Sequence, residues 1–411
     1  MLDQYFSLPA VLQRHRSRLL GPFLDSFVAE SRKLGYPRHT VRHQCHVIGC
    51  LSDWLERRRK DVGDVDASII ELHVQWRRHA GHPDERATLS RFLDHLQIRG
   101  VVRPPSGPRL SAAETLVQRF EEHLTGERRI LPASASCYGS FAREFLAVRY
   151  QGGVPRLHNL HASDVSKFVV TWTRTHPPGR ARLLVVALRS FFRFLLQQGD
   201  IDADLAPVVP TVASWRLAGL PRYLSAEQVE RLLASCDRRT SQGRRDYAVI
   251  LLLARLGVRA IEVARLELDD IDWRAGEMIV RGRDCREDRL PLMPEVGEAL
   301  AAYLRHGRPE CSTRRVFVRV HAPVRAIRER GAVTTIVRHA LDRAGLDPPI
   351  KGAHTLRHSL ATRMLLGGAS MSEIAEVLRH RSPQTTEIYA KVDFGALRSL
   401  ALPWPTMEGG R

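Results

Sequence analysis

The chain has 411 residues, of which 44% are hydrophobic, and a formal net charge of +18 at pH 7. That apolar share builds real cores and excludes a disordered basic tail, while the charge exceeds the magnitude of about 2–8 that solubility asks of a small domain. A folded surface this basic points to nucleic acid. Membrane attachment is excluded by the lack of a lipidation signal, an amphipathic anchor or an apolar run near the ~20 residues of a membrane span.

The first predicted block, residues 1–105, is a helical module. Its opening "MLDQYFSLPAVLQRHRSRLL" has neither the apolar centre nor the cleavage site of a signal peptide. "HQCHVIGC" brings together His43, Cys45, His46 and Cys50. A zinc site wants a second ligand pair at ordinary spacing, and none follows, so these read as helix residues. The six cysteines (Cys45, Cys50, Cys137, Cys236, Cys285 and Cys311) are scattered without a C-x-x-C pair, which predicts a reduced, cytoplasmic protein. Lysine occurs only at 33, 60, 167, 351 and 391, so the positive charge is almost all arginine.

"VVRPPSGPRLS" is a Pro/Gly-rich linker to a second helical block, 110–205. The two blocks share a pattern. "LSRFLDHLQIRGVV" (89–102) aligns without gaps on "LRSFFRFLLQQGDI" (188–201), pairing Phe92 with Phe191, Leu96 with Leu195 and Gly100 with Gly199. The apolar spacing is helical, and each glycine suits a helix C-cap. Upstream, "DASIIELHVQW" resembles "HASDVSKFVVTW", so a duplicated module is expected.

The third block, 222–405, follows a second proline-dotted passage. "SAAE", "SAEQ" and "SMSE" predict helix starts at Ser111, Ser225 and Ser370. "SPQTTEIYAKV" predicts another, with Ser382 as N-cap and Pro383 next. "GEMIVRGRDCREDRLPL" is the clearest strand–turn–strand signal, and Arg281, Arg283, Arg286 and Arg289 crowd it. The expected fold is mainly α with a small β-sheet.

This block carries three separated clusters: Arg259 with Glu262, His354 with Arg357, and His380 with Tyr389. Singly each has a plain reading: a surface ion pair, a helix cap, a core aromatic. Together they supply guanidiniums that grip phosphate oxygens, imidazoles that move protons, and a phenol that serves as nucleophile. Those are parts for phosphoryl transfer on a polyanion without metal or cofactor, and no Walker loop or acidic metal cluster competes.

In this order the clusters resemble the tyrosine recombinase, or phage integrase, family. That family shows an arginine in an L-G-L/V-R-x-x-E helix, a hairpin lysine, an H-x-x-R box, a G/R-H-x-S/T turn and a tyrosine nine residues later. Here "LGVRAIEV", "HTLRH", "RHRS" and "EIYAKV" match, with Tyr389 nine residues after His380. The resemblance covers about 224–392. It implies helical DNA-binding modules ahead of an α+β catalytic domain, the second block being the core-binding module and the first an arm-type or assembly module. It further implies a clamp on double-stranded DNA joined by the linker near 207–222, and a homo- or hetero-tetramer on synapsed sites.

The implied site is Arg259, Arg283, His354, Arg357, His380 and Tyr389. Arg259 and Arg357 hold the nonbridging oxygens, and His380 adds a donor. His354 takes or shares the proton of Tyr389, which forms a 3′-phosphotyrosine, while Glu262 orients its neighbours. Arg283 stands where the family has its lysine, and Asp284 where it has a glycine. Arginine, with a pKa above about 12, gives up a proton poorly, so slow departure of the 5′-oxygen is expected. Ile261 replaces a commonly small residue. Lys351, just before His354, could reach the site and rescue this step, although a solvated lysine is the plainer reading. The tail after Tyr389, with Phe394, Leu397, Leu400 and Leu402, docks either on its own domain or into a neighbouring subunit. The leading function is site-specific recombination for a mobile element. The alternatives are a DNA-binding accessory homologue with weak cleavage and a topoisomerase-like nicking-closing enzyme.

Overall fold

The computed structural model describes residues 1–104, 111–151, 153–212, 222–282, 287–382 and 385–392. The chain divides into two compact units, one made of Met1–Val102 with Gly219–Arg411 and the other of Arg103–Ala218.

The first block is helical: α1 (Pro9–Ser17), α2 (Gly21–Lys33), α3 (Arg38–Arg57), α4 (Ala67–His79) and α5 (Arg86–Ile98). On α3, Val41, Cys45, Ile48, Ser52 and Leu55 recur every three or four residues and are all buried. They form one stripe that packs with Leu24, Phe27, Phe92 and Leu96. Cys45 is therefore core, and burial pushes its thiol up to about 12. His46 and Cys50 share a face of the same helix, Nε2 and Sγ 3.6 Å apart.

The second unit contains α6 (Ala112–Gly126), α7 (Pro132–Tyr150), α8 (Ala162–Thr175) and α9 (Pro178–Gln197). Ser111 caps α6 through the Glu114 amide. Phe120, Phe145, Phe191 and Phe192 fill its core edge to face. The two matched sequence segments close alike. Gly100 and Gly199 have φ of +69° and +72°. In each, the next residue's amide reaches back to Leu96 or Leu195, at 3.0 and 2.9 Å. The left-handed turn is why glycine stands at both places.

The third block comprises α10 (Ala226–Ala234), α11 (Ser241–Arg255), α12 (Ala260–Arg265), strands β1 (Ile271–Asp272), β2 (Glu277–Arg281) and β3 (Glu287–Pro291), α13 (Pro294–His306), α14 (Arg330–Arg343), α15 (Ala353–Leu366) and α16 (Met371–Val377). The sheet is antiparallel in the order β1-β2-β3, with Arg281 opposite Glu287 and Met278 opposite Leu290. β2 buries Met278 and Val280, while β3 alternates exposed residues with the half-buried Asp288 and Leu290. The tip, 283–286, lies outside the described residues. α11 is buried from Ala248 to Ala254 without a polar face, as a central helix must be. α15 packs beside it and is buried on most sides, including Arg357, Ser359 and Thr362. Capping boxes form at Ser225 and Ser370. The helix expected from Ser382 is instead a short 3₁₀ turn, Glu387–Val392, with Pro383 outside the described residues. No helix among the described residues is long and apolar enough to cross a membrane.

Candidate active site

Gly257 begins the site. Its φ is +57°, and a Cβ there would lie 2.7 Å from a Leu378 methyl carbon and 2.9 Å from one of Leu360. That turn sets Arg259 as N-cap of α12, where Glu262 accepts from both its amide and its Nη1, each at 2.8 Å. Glu262 is fully buried and accepts a third bond from Arg379 Nη2 at 2.7 Å. Burial alone would raise its pKa. The Arg379 charge and the bonds from Arg259 and Arg379 outweigh that and hold the carboxyl below its ordinary range. Glu262 thus holds both arginines in place.

Arg379 was not anticipated from the sequence. It follows α16 with φ +54°, the left-handed position that glycine favours. Its amide and that of His380 close the helix on Glu376 and Ala375, at 2.9 and 2.8 Å. Its carbonyl accepts from Arg259 Nη2 at 3.2 Å, and its Nη1 lies 3.7 Å from Asp288 on β3. One side chain therefore ties the tip end of the hairpin to α12.

Arg357 is buried on α15, and its guanidinium donates to the carbonyls of Gly257 and Leu378. It clamps the turn before α12 to the end of α16. Burial, then the charges of Arg259 and Arg379, lowers its pKa to about 10, so it stays protonated at neutral pH. One turn earlier on α15, His354 faces solvent and meets His358 edge-on, with ring centroids 4.1 Å apart. Desolvation and the charges of Arg357 and Arg259 lower its pKa.

Tyr389 is 1% exposed, set among Leu360, Ala361, Ile374 and Leu378. Burial pushes its hydroxyl up to about 12, against the pull of Arg357. His380 lies parallel to its ring with centroids 6.5 Å apart, and its Nδ1 pairs with Thr386 Oγ1 at 2.8 Å. Burial, then Arg357 and Arg259, takes His380 down to about 4. The imidazole that touches the Tyr389 hydroxyl is not the expected His354. It is His358, with Nδ1 2.8 Å from Oη. The signal was present, since His358 lies four residues after His354 and so shares its helix face, but a helix face does not say which distant loop covers it.

Arg283 and Asp284 lie outside the described residues, as do Phe394, Leu397, Leu400 and Leu402. Of the other hairpin arginines, Arg281 pairs with Asp270 and Glu287, and Arg289 with Glu277. Lys351 is held by Asp342 and Asp347 at 3.1 and 2.9 Å, and those bonds raise its pKa. It is exposed and ion-paired. The arrangement as a whole gathers three guanidiniums, one buried carboxylate, three imidazoles and a phenol from four separate stretches. Its three guanidiniums outnumber its one carboxylate, so the cluster is net positive.

Residues 222–395 match the phage integrase family. A protein of Sinorhizobium fredii carried under the name integrase/recombinase y4rA is 43% identical over 375 residues, covering 90% of this chain and 91% of that one. Tyrosine recombinase XerD of Mycobacterium tuberculosis is 32% identical over 299 residues, covering 69% and 95%. Among solved structures, the XerH site-specific recombinase bound to palindromic difH substrate shares the fold, with TM-score 0.56, 18% identity, and coverage of 71% of this chain and 85% of that one. The chain thus belongs to the tyrosine recombinase, or phage integrase, family of DNA strand-exchange enzymes.

Proposed function

We propose that the chain is a site-specific recombinase that cuts and rejoins double-stranded DNA through a 3′-phosphotyrosine at Tyr389, in integration, excision or transposition of a mobile element. The observation that carries the reading is the convergence of Arg259, His380 and Tyr389 on the buried Arg357. Negative charge builds on the nonbridging oxygens as the phosphate becomes pentacoordinate, and donors fixed beforehand stabilise it with little reorganisation. Arg259, whose side chain is 40% exposed, presents the first donors. Arg357 has five N–H groups and commits at least two to carbonyls, so it supports the pocket as well as charging it. His380, engaged at Nδ1, turns Nε2 to the phosphate.

Tyr389 attacks and the 5′-hydroxyl leaves. The ester keeps the bond energy, so a partner strand's 5′-hydroxyl reverses the step without a nucleotide cofactor. The protein acts in the cytoplasm as a tetramer on two synapsed sites, the first block serving as an arm-type or assembly module.

The test is a nicked suicide duplex taken from the ends of the element that carries the gene. Wild type should accumulate a covalent protein–DNA adduct stable in detergent, and Tyr389→Phe should bind the duplex without forming it. An adduct formed by Tyr389→Phe, or none by wild type on DNA it binds, ends the reading.

A further inference from the structure

We propose that His358 is the catalytic base of the reaction, the group that takes the Tyr389 proton. This rests on the reading of Tyr389 as nucleophile. His358 touches the reacting atom: Nδ1 stands 2.8 Å from Oη, at hydrogen-bond distance, and the two rings meet at 61° with centroids 5.5 Å apart. The ring is fixed by its place in the fold. It follows Arg357 directly on α15, and Arg357 is locked to the carbonyls on either side of the pocket. His354, on the same face, buttresses it edge-on.

The surroundings also keep His358 in the form that can accept. The groups acting on it are His354 and Arg357 from α15, His380 from the turn after α16, and Tyr389 from the 3₁₀ turn. Burial comes first and the charges of His354, Arg357 and His380 add to it, so the pKa falls to about 4 and the ring is neutral at pH 7. With its proton on Nε2, the neutral ring offers Nδ1 as acceptor to the phenol.

Burial raises the phenol and lowers the imidazole, so transfer before attack begins is disfavoured. The proton passes as the O–P bond forms, when Oη becomes acidic and the incoming anion favours imidazolium. The step balances as follows. The Oη–H bond breaks and the proton goes to Nδ1. An Oη lone pair bonds phosphorus, and the P–O5′ bond breaks with its electron pair on the 5′-oxygen. That oxygen takes a proton from water and releases hydroxide. On rejoining, His358 returns its proton to Oη.

The experiment measures single-turnover adduct formation by full-length wild type, His358→Ala and His358→Asn. Each is run on the nicked duplex and on the same duplex with a 5′-bridging sulfur, whose departure needs no proton. Retardation gels confirm DNA binding and thermal melting confirms folding. Asn keeps an acceptor near the place of Nδ1 but cannot hold the proton. Both variants should be slower by about 10²-fold, the lower end for a lost general base, on both substrates, with binding unchanged. Relief of the defect by sulfur would move the fault to the leaving group and overturn the proposal. So would an Asn variant that cleaves like wild type, which would make the contact one of position, or an Ala variant faster than wild type, which would make it a latch. If wild type forms adduct and the His358 variants match it, only this inference falls. If wild type forms none, the nucleophile assignment falls first.

Discussion

Glu262 is the residue on which the charged half of the site depends. It is fully buried and accepts from Arg259 twice and from Arg379 once. Removing one partner of such a group leaves the other charge buried and alone, at a cost of about 3–5 kcal/mol. Glu262→Ala should therefore lower the unfolding free energy by that order, read by urea titration, and disorder Arg259. The pH dependence has a definite sign. The folded carboxyl titrates below its ordinary 4.5, so its contribution is complete above that pH and is lost as pH falls through the folded value. Glu262→Gln should remove this part of the acid limb, measured as urea midpoint against pH, while wild type retains it. At this scale the sequence showed the Arg259–Glu262 pair through its i, i+3 spacing. It did not show Arg379, because nothing local tells an arginine in a left-handed turn that a carboxylate lies 117 positions away.

Among elements, the turn before α12 is the one the site can least do without. Gly257 combines a positive φ with side chains too close for a Cβ. Gly276, with φ +65° and nothing within 4 Å, needs only the dihedral. Gly276→Ala should cost about 1–2 kcal/mol, the left-handed penalty alone. Gly257→Ala should cost more and also displace the Gly257 carbonyl that anchors Arg357. The excess destabilisation and the loss of adduct formation measure that anchoring. Equal effects of the two substitutions would show that packing at Gly257 contributes nothing. The capping boxes at Ser225 and Ser370 were legible because they are local chemistry, one side chain bonding an amide three residues on. The Tyr389 segment was misread as a regular helix. Its residues instead form a short 3₁₀ turn shaped by burying the ring against α15 and α16.

For the whole molecule, the charge of +18 is spread so that the first, second and third blocks are each net positive. Binding to duplex DNA should then be dominated by phosphate contacts. Between about 50 and 200 mM salt the affinity should fall by roughly 10³–10⁵, as expected for some 6–10 phosphates neutralised, with log K linear in log salt. Fluorescence anisotropy on a labelled duplex reads this directly, and a flat salt response would refute it. The first block joins the catalytic block in one unit, where the Val324 amide donates to the Leu34 carbonyl at 2.8 Å. Gly35, with φ +75°, sits against Val324, where a Cβ would approach its Cγ2 to 2.7 Å. That seam was not readable from the sequence, since one backbone bond and one glycine leave no periodic trace.

The sequence by itself determined what depends on neighbours along the chain. That covers the helical periodicity of the paired segments, the glycine-closed helix ends, the strand–turn–strand signal and the spacing of Arg259, His354, Arg357, His380 and Tyr389. Tertiary structure alone decided which of these side chains touch. It gave Tyr389 to His358 rather than His354, turned Arg357 inward onto two carbonyls, and placed Arg379 between α12 and the hairpin. The reason is physical. A hydrogen bond is settled within a few tenths of an ångström between segments that lie tens to a hundred residues apart, and only the packing of the core between them fixes that distance.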